Sequence, residues 1–259
     1  MSNFNYKKNW GQNFLIDETV KNEIVNSINP KKDDLIIEIG PGIGAITTKL
    51  KKYNSFLIGV EIDTDTKKYL DKLEDDKTRF IYKDFLSTSF SSIVDNKTYT
   101  NIYFIGNLPY YITTPIIEKI TELELENMEM VTMVQKEVAD RFLAKPHSKN
   151  YGYMTVLLNY YYDINKVCDV KKECFYPVPK VDSTVVKFIP KKDKVKIDVE
   201  KFKTFLKICF KYKRKNLKNN LNKYDLSKIE DILNKKELSL SNRAEDIDLM
   251  TFIDLFNNL

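Results

Sequence analysis

Leu35-Ile36-Ile37-Glu38-Ile39-Gly40-Pro41-Gly42-Ile43-Gly44 sets the reading of the whole chain. Its first five residues are a short apolar run, the pattern of a strand buried on both faces, and the run stops at a loop with glycine at every second position. Glycines so placed permit a tight turn and let another molecule approach the backbone with no side chain in the way. Residues 45–51 can continue as a helix. Outward from this unit, Phe56–Glu61, 80–82, 102–105 and 130–134 are further apolar runs of strand length, separated by longer polar or amphipathic segments. Such alternation predicts an α/β fold with a parallel, doubly wound sheet.

The flanks extend the pattern. Asp17 is placed to cap a helix running to about Ile28, and Thr114 with Pro115 offers a cap and a first-turn proline for a helix over 116–123. A helix follows Gln135 through Phe142, a loop spans 145–152 with His147 on its surface, and another helix starts near Met154. Tyr160-Tyr161-Tyr162 reads as helix packing rather than as a stacking platform. Strands near 164–171 and 183–189 close the first part. Proline and clustered charge break the strand pattern at 189–194; beyond, Phe202, Phe205, Leu206 and Cys209 recur at helical spacing. The expected division is 1–189 for the α/β domain and 190–259 for a small all-helical domain.

Glu61 stands twenty-one residues past Gly40 at the end of the next strand, where a carboxylate can accept both hydroxyl protons of a ribose. Asp84, after the third strand, can accept from an adenine amino group while Phe85 or Ile62 packs on the ring. With Gly40 and Gly42 these residues suit any adenosine-bearing cofactor, a nicotinamide dinucleotide included. Asn107-Leu108-Pro109-Tyr110 separates the alternatives. An exocyclic aromatic amine is a poor nucleophile, because its lone pair is delocalised into the ring. Two fixed acceptors, the Asn107 side-chain oxygen and the Leu108 carbonyl, would favour the pyramidal geometry in which the lone pair becomes available. Pro109 restricts Leu108 to an extended conformation and so aims that carbonyl, and Tyr110 offers a flat face for a base. A strand ending in a proline turn would carry the same four residues, but a dehydrogenase has no use for them behind a cofactor loop. The expected cofactor is therefore S-adenosylmethionine, released as S-adenosylhomocysteine, with no metal.

Composition bounds the rest. The chain has 259 residues, 42% hydrophobic and 31% charged, and its longest apolar runs are too short to span a bilayer. No continuous apolar segment of the secretory kind occurs in residues 1–17, so a cytoplasmic location and no membrane partner are expected. Three cysteines without a Cys-x-x-Cys pair and a single histidine support neither a disulfide framework nor a zinc site. The net charge is +5, yet residues 191–224 carry thirteen Lys or Arg against three acids. A positive segment of that strength is the footprint of a polyanion partner, and lysine suits phosphate attraction better than the reading of base edges. Lys211, Lys213, Arg214, Lys215 and Lys218 are the expected contacts to that polyanion, the alternative being a merely solvated face of a lysine-rich chain. Tyr6 and Trp10 would either touch the same partner or order the N-terminal arm.

The residues now on the page closely resemble the KsgA ribosomal RNA adenine dimethyltransferases, a family that shares ancestry with the Erm resistance methylases. The resemblance runs from Gly11-Gln12-Asn13-Phe14-Leu15 to the Arg214 region. It implies a Rossmann-like class I methyltransferase domain with a seven-stranded sheet and a small helical C-terminal domain. It also implies that Asn13 and Leu15 cover the cofactor and that Asn107 lies at the border of cofactor and base. Phe175, opening Phe175-Tyr176-Pro177-Val178-Pro179, would stack on the base opposite Tyr110. Three segments, at 135–141, 145–152 and 213–217, favour the KsgA branch; Tyr111 departs from the Asn usual there. The implied substrate is a pair of adjacent adenosines in a hairpin loop near the 3′ end of small-subunit rRNA, dimethylated by a monomer while the immature small subunit matures. An Erm-like large-subunit methylase and a mainly RNA-binding assembly factor are the alternatives.

Overall fold

The computed structural model describes residues 13–259. Tyr6, Trp10, Gly11 and Gln12, singled out above, lie outside the described residues. Nine strands are present among the described residues: β1 (Phe14–Leu15), β2 (Leu35–Ile39), β3 (Phe56–Glu61), β4 (Thr78–Tyr82), β5 (Ile102–Asn107), β6 (Met128–Gln135), β7 (Tyr162–Val170), β8 (Phe175–Tyr176) and β9 (Ser183–Pro190). Seven form one sheet in the order β4-β3-β2-β5-β6-β9-β7, and β1 and β8 make a separate two-stranded ribbon. The seven strands and the helices between them give the expected Rossmann-like class I methyltransferase fold.

Every residue of β2 is buried, as its unbroken apolar run requires. It pairs in parallel with β3 on one side and β5 on the other. The chain passes outward from β2 through β3 to β4, then returns to lay β5 and β6 on the other flank. Between β2 and β5, beyond their carboxyl ends, the sheet therefore has its topological switch point, the usual place for a ligand crevice. The sheet is not wholly parallel, which corrects the doubly wound expectation at one edge: β9 runs antiparallel to β6 from Gln135↔Ser183 to Met130↔Phe188. Residues between β7 and β9 hold no α-helix, and without a crossover helix a parallel return is not available.

Local signals account for most element ends. Asp17 caps the helix Glu18–Asn26 as expected, its Oδ1 accepting from the Val20 amide at 2.9 Å. The helix read over 116–123 instead spans Thr113–Thr121, with Ile112 at its cap and no side-chain cap. Thr113, not Thr114, makes the local hydroxyl contact, donating to the Pro109 carbonyl at 3.1 Å. Pro115 still sits in the first turn, where a missing N–H costs nothing.

The described chain forms two compact units, residues 13–139 with Asn165–Pro190 and residues 140–164 with Lys191–Leu259. In the first, Leu15, Ile24, Ile36, Leu57, Ile105 and Phe175 belong to one apolar cluster. In the second, the amphipathic helices Val199–Cys209, Leu226–Asn234 and Leu249–Asn257 bury Phe202, Phe205, Ile229, Leu233, Phe252 and Leu255. Tyr160 and Tyr161 are also buried there, Tyr160 stacked at a tilt on Phe202 with centroids 6.0 Å apart. Residues 191–259 contain no strand among the described residues, and no described helix is long and apolar enough to cross a membrane.

Candidate active site

The hollow at the switch point belongs entirely to the first unit and holds about 1070 Å³, counting the mouth open to solvent. That is enough for a nucleoside with a substituent. Its wall brings together Asn13, Leu15, Gly40, Gly42, Glu61, Ile62, Asp84, Phe85, Asn107, Leu108 and Tyr110, residues spread over nearly a hundred positions of chain. Tyr111 also lines it and is 62% exposed at the rim.

Each contributor arrives by a local rule. Gly40 and Gly42 take positive φ, +68° and +59°, a region that favours glycine. At Gly42 a Cβ would also lie 2.6 Å from the Phe14 ring, so the residue is fixed by a close approach as well as by its backbone. Phe14 was missed in the sequence reading, although it sits between two residues expected to cover the cofactor. Glu38 was missed too: a carboxylate inside an apolar run, 2% exposed, lining the hollow and accepting from the Thr47 hydroxyl at 2.6 Å. Its isolation among isoleucines was the signal. Burial pushes its carboxyl up to about 7, with the charge of Glu61 adding and the Thr47 hydrogen bond opposing.

Glu61 is held by the protein's own backbone. Oε2 accepts from the Gly42 amide and Oε1 from the Asp63 amide, each at 2.8 Å. These bonds aim the group, and each oxygen keeps a second lone pair for a ribose hydroxyl. Burial raises its pKa. At the neighbouring strand end, Asp84 is fixed by the Leu86 amide at 2.9 Å. The loop after it is tied down by Lys119, whose ammonium donates to the carbonyls of Phe85, Leu86 and Thr88 at 2.8, 2.6 and 2.7 Å.

The tetrad continues β5 directly. Asn107 Nδ2 donates to the Asn13 carbonyl at 2.9 Å, which leaves Oδ1 as the acceptor of that side chain. Leu108 is wholly buried, and its amide donates to the Met133 carbonyl at 3.2 Å, prolonging the β5–β6 ladder into the turn. The Tyr110 hydroxyl shares a hydrogen bond of 2.9 Å with the buried Ser183 hydroxyl, a partner not anticipated.

Phe175, expected opposite Tyr110, is placed in the apolar core. β1 and β8 pair antiparallel with Leu15 opposite Phe175 and Phe14 opposite Tyr176, and directly opposed residues share a face of the ribbon. Leu15 and Phe175 point into the apolar cluster, and Phe175 is 1% exposed and absent from the wall of the hollow. Tyr176, on the Phe14 face, is 51% exposed.

Three carboxylates (Glu38, Glu61 and Asp84) face this hollow, and among the described residues Lys83 is the only Lys or Arg on its wall. That balance fits a sulfonium cofactor and disfavours the pyrophosphate of a nicotinamide dinucleotide. Among the described residues no group of three or more His, Cys, Asp or Glu is placed to hold a metal ion.

In the second unit, Lys211, Lys213, Arg214, Lys215 and Lys218 are all exposed. Lys213 is partly committed, its ammonium donating to the Lys149 carbonyl at 2.5 Å.

Residues 3–259 match the family model described as ribosomal RNA adenine dimethylase. The chain is 41% identical over 257 residues to ribosomal RNA small subunit methyltransferase A of Mycoplasma mobile, covering 98% of each. It is 44% identical over 239 residues to the protein of the same name from Malacoplasma penetrans, covering 92% of this chain and 86% of that one. Among solved structures, a dimethyladenosine transferase from Plasmodium falciparum superposes with a TM-score of 0.79 at 26% identity, covering 93% of this chain and 95% of the other. The 23S rRNA methyltransferase ErmE gives 0.75 at 23% identity over 95% and 99%, a likeness of fold.

Proposed function

We propose, from the premise that this chain belongs to the ribosomal RNA adenine dimethylase family, that it dimethylates the exocyclic amines of two adjacent adenosines in a hairpin loop near the 3′ end of small-subunit rRNA. It does so as a cytoplasmic monomer acting on the immature small subunit. When bound, S-adenosylmethionine supplies an electrophilic methyl group that the adenine amine attacks. Everything else is the work of this chain's own residues. Glu61 and Asp84 orient the ribose and adenine of the cofactor, Ile62 and Phe85 flank the ring, and the positive-φ glycines keep the loop clear of side chains.

The observation that carries the reading is the single amide of Asn107. Its nitrogen is spent on the Asn13 carbonyl, so its oxygen is the group left to accept from a substrate amine at the junction of glycine loop and tetrad. With the Leu108 carbonyl it localises the amine's lone pair, and Tyr110, its hydroxyl held by Ser183, gives the base one face to rest on. Acceptor dipoles and positioning suffice, because the amine becomes acidic only as the new bond forms. An unpaired loop nucleotide is the least costly base to extrude into such a site. The exposed cations at 211–218 attract the surrounding phosphates, and binding weakens steeply with salt on that account.

The test offers methyl-labelled S-adenosylmethionine to undermethylated small ribosomal subunits and, separately, to naked large-subunit rRNA. Label in dimethyladenosine of the small-subunit rRNA is the expected result. Label on the large-subunit rRNA alone, or tight binding without any label, would overturn the reading.

A further inference from the structure

We propose that Tyr212 is a stacking platform for an unpaired RNA nucleobase, held in the basic turn of the second unit. The inference rests on the rRNA reading above and adds to it a base contact away from the adenine-methylating hollow.

The chain leaves the helix Val199–Cys209, turns through residues 210–215 and enters the short helix Leu217–Asn220. Cys209, Leu217 and Leu221, which flank the turn, are wholly buried. Tyr212 is 54% exposed, in the middle of Lys211, Lys213, Arg214 and Lys215, all of them exposed. A large aromatic ring left in water forgoes the stabilisation that burial would bring.

The backbone that carries the ring is nonetheless tightly held. Asn220, 7% exposed, accepts from the Tyr212 amide through Oδ1 at 3.0 Å and donates through Nδ2 to the Tyr212 carbonyl at 3.4 Å. The Lys215 amide donates to the same carbonyl at 2.8 Å. Lys213 fastens the turn to the loop before Tyr153 through the Lys149 carbonyl. A buried amide thus clamps both polar groups of one exposed residue, which fixes the origin of its side chain before any partner arrives. Preorganisation of this kind lowers the entropy lost on binding.

Lys211 Nζ lies 5.2 Å from the Tyr212 ring centroid, a cation–π distance, and the residue is exposed enough to offer ring surface to a base. The lysines supply attraction without sequence preference, and the ring supplies a short-range contact that only an unpaired base can use, because stacked neighbours cover the faces of a paired one.

The experiment measures binding of the full chain to undermethylated small ribosomal subunits across a salt series, with Tyr212→Ala, Tyr212→Phe and Tyr212→Trp. Loss of the ring in Tyr212→Ala should weaken binding roughly tenfold, the Phe and Trp variants should stay near the parent, and the slope against log salt should be unchanged because no cation is removed. The Trp variant should also show fluorescence quenching on binding, beyond the parent's own Trp10 signal. The inference falls if Tyr212→Ala binds like the parent, if Tyr212→Phe is as weak as Tyr212→Ala, or if the introduced indole is not quenched. The quenching measurement stands even if the Ala variant folds poorly. A parent that neither binds nor labels small subunits would sink the rRNA reading itself; a normal parent with an unaffected Tyr212→Ala sinks only the platform.

Discussion

Asn107 shows how much one side chain can carry. Its two polar atoms are divided between scaffold and substrate, the nitrogen on the Asn13 carbonyl and the oxygen left for an amine. Asn107→Ala removes an acceptor that counts most as the amine pyramidalises, so kcat should fall by about 10²–10³-fold. The dissociation constant for S-adenosylmethionine, measured by calorimetry, should be largely unchanged. A variant retaining full turnover would defeat the assignment. Ser183 acts one step further out, through the Tyr110 hydroxyl. Ser183→Ala should raise KM for the RNA substrate, and the loss should vanish in a Tyr110→Phe background, where the bond no longer exists. Additive effects of the two changes would show that Ser183 works elsewhere. At Gly42 the fit is steric, and Gly42→Ala is expected to weaken cofactor binding, since the new methyl meets the Phe14 ring in a backbone conformation alanine resists.

At the scale of elements, the helix Thr113–Thr121 connects the two halves of the site. It begins directly behind the tetrad, and from its last turn Lys119 reaches the loop after Asp84 and satisfies three carbonyls there. Its Nζ also lies 5.4 Å from the Phe85 ring centroid. Burial lowers the pKa of this lysine and the charge of Asp84 opposes the shift, as expected for an ammonium used structurally. Lys119→Met keeps the stem and removes the three donors, at a cost of about 1–3 kcal/mol in stability from the unpaired carbonyls. Cofactor affinity should fall with it, because the Asp84-Phe85 loop loses its anchor. Thermal melts with and without S-adenosylmethionine check both, and an undiminished stabilisation by the cofactor would show that the loop holds its shape unaided.

At the scale of the whole molecule, buried acid shapes the response to pH. Glu38 has a folded-state pKa of about 7 against about 4.5 when unfolded, so the folded state holds this proton more firmly. The stability that follows is fully present below pH 4.5 and is lost as pH rises to about 7, an effect of about 3 kcal/mol from this group. Glu61, shifted in the same direction by burial, adds to the trend. In cofactor-free melts, Glu38→Gln should gain stability relative to the parent as pH rises from 5 to 8. A constant difference across that range would mean that the carboxyl holds the same share of a proton folded as unfolded, its pKa not raised by burial.

The sequence by itself determined the strand, glycine turn and helix at 35–51, the buried strands that follow, and the acids at the ends of β3 and β4. Those are local facts: apolar runs, caps and turn residues state their conformation wherever they stand in the chain. Distant pairings had no such signature. That Glu61 is held by the Gly42 amide, that Lys119 anchors the Asp84 loop, that Ser183 holds Tyr110 and that β9 enters the sheet antiparallel depend on which strands lie side by side. Phe175 marks the boundary most clearly. The motif around it was legible, yet the face on which its ring lies was decided by a two-residue register with β1, and a shift of one residue there would exchange it with Tyr176.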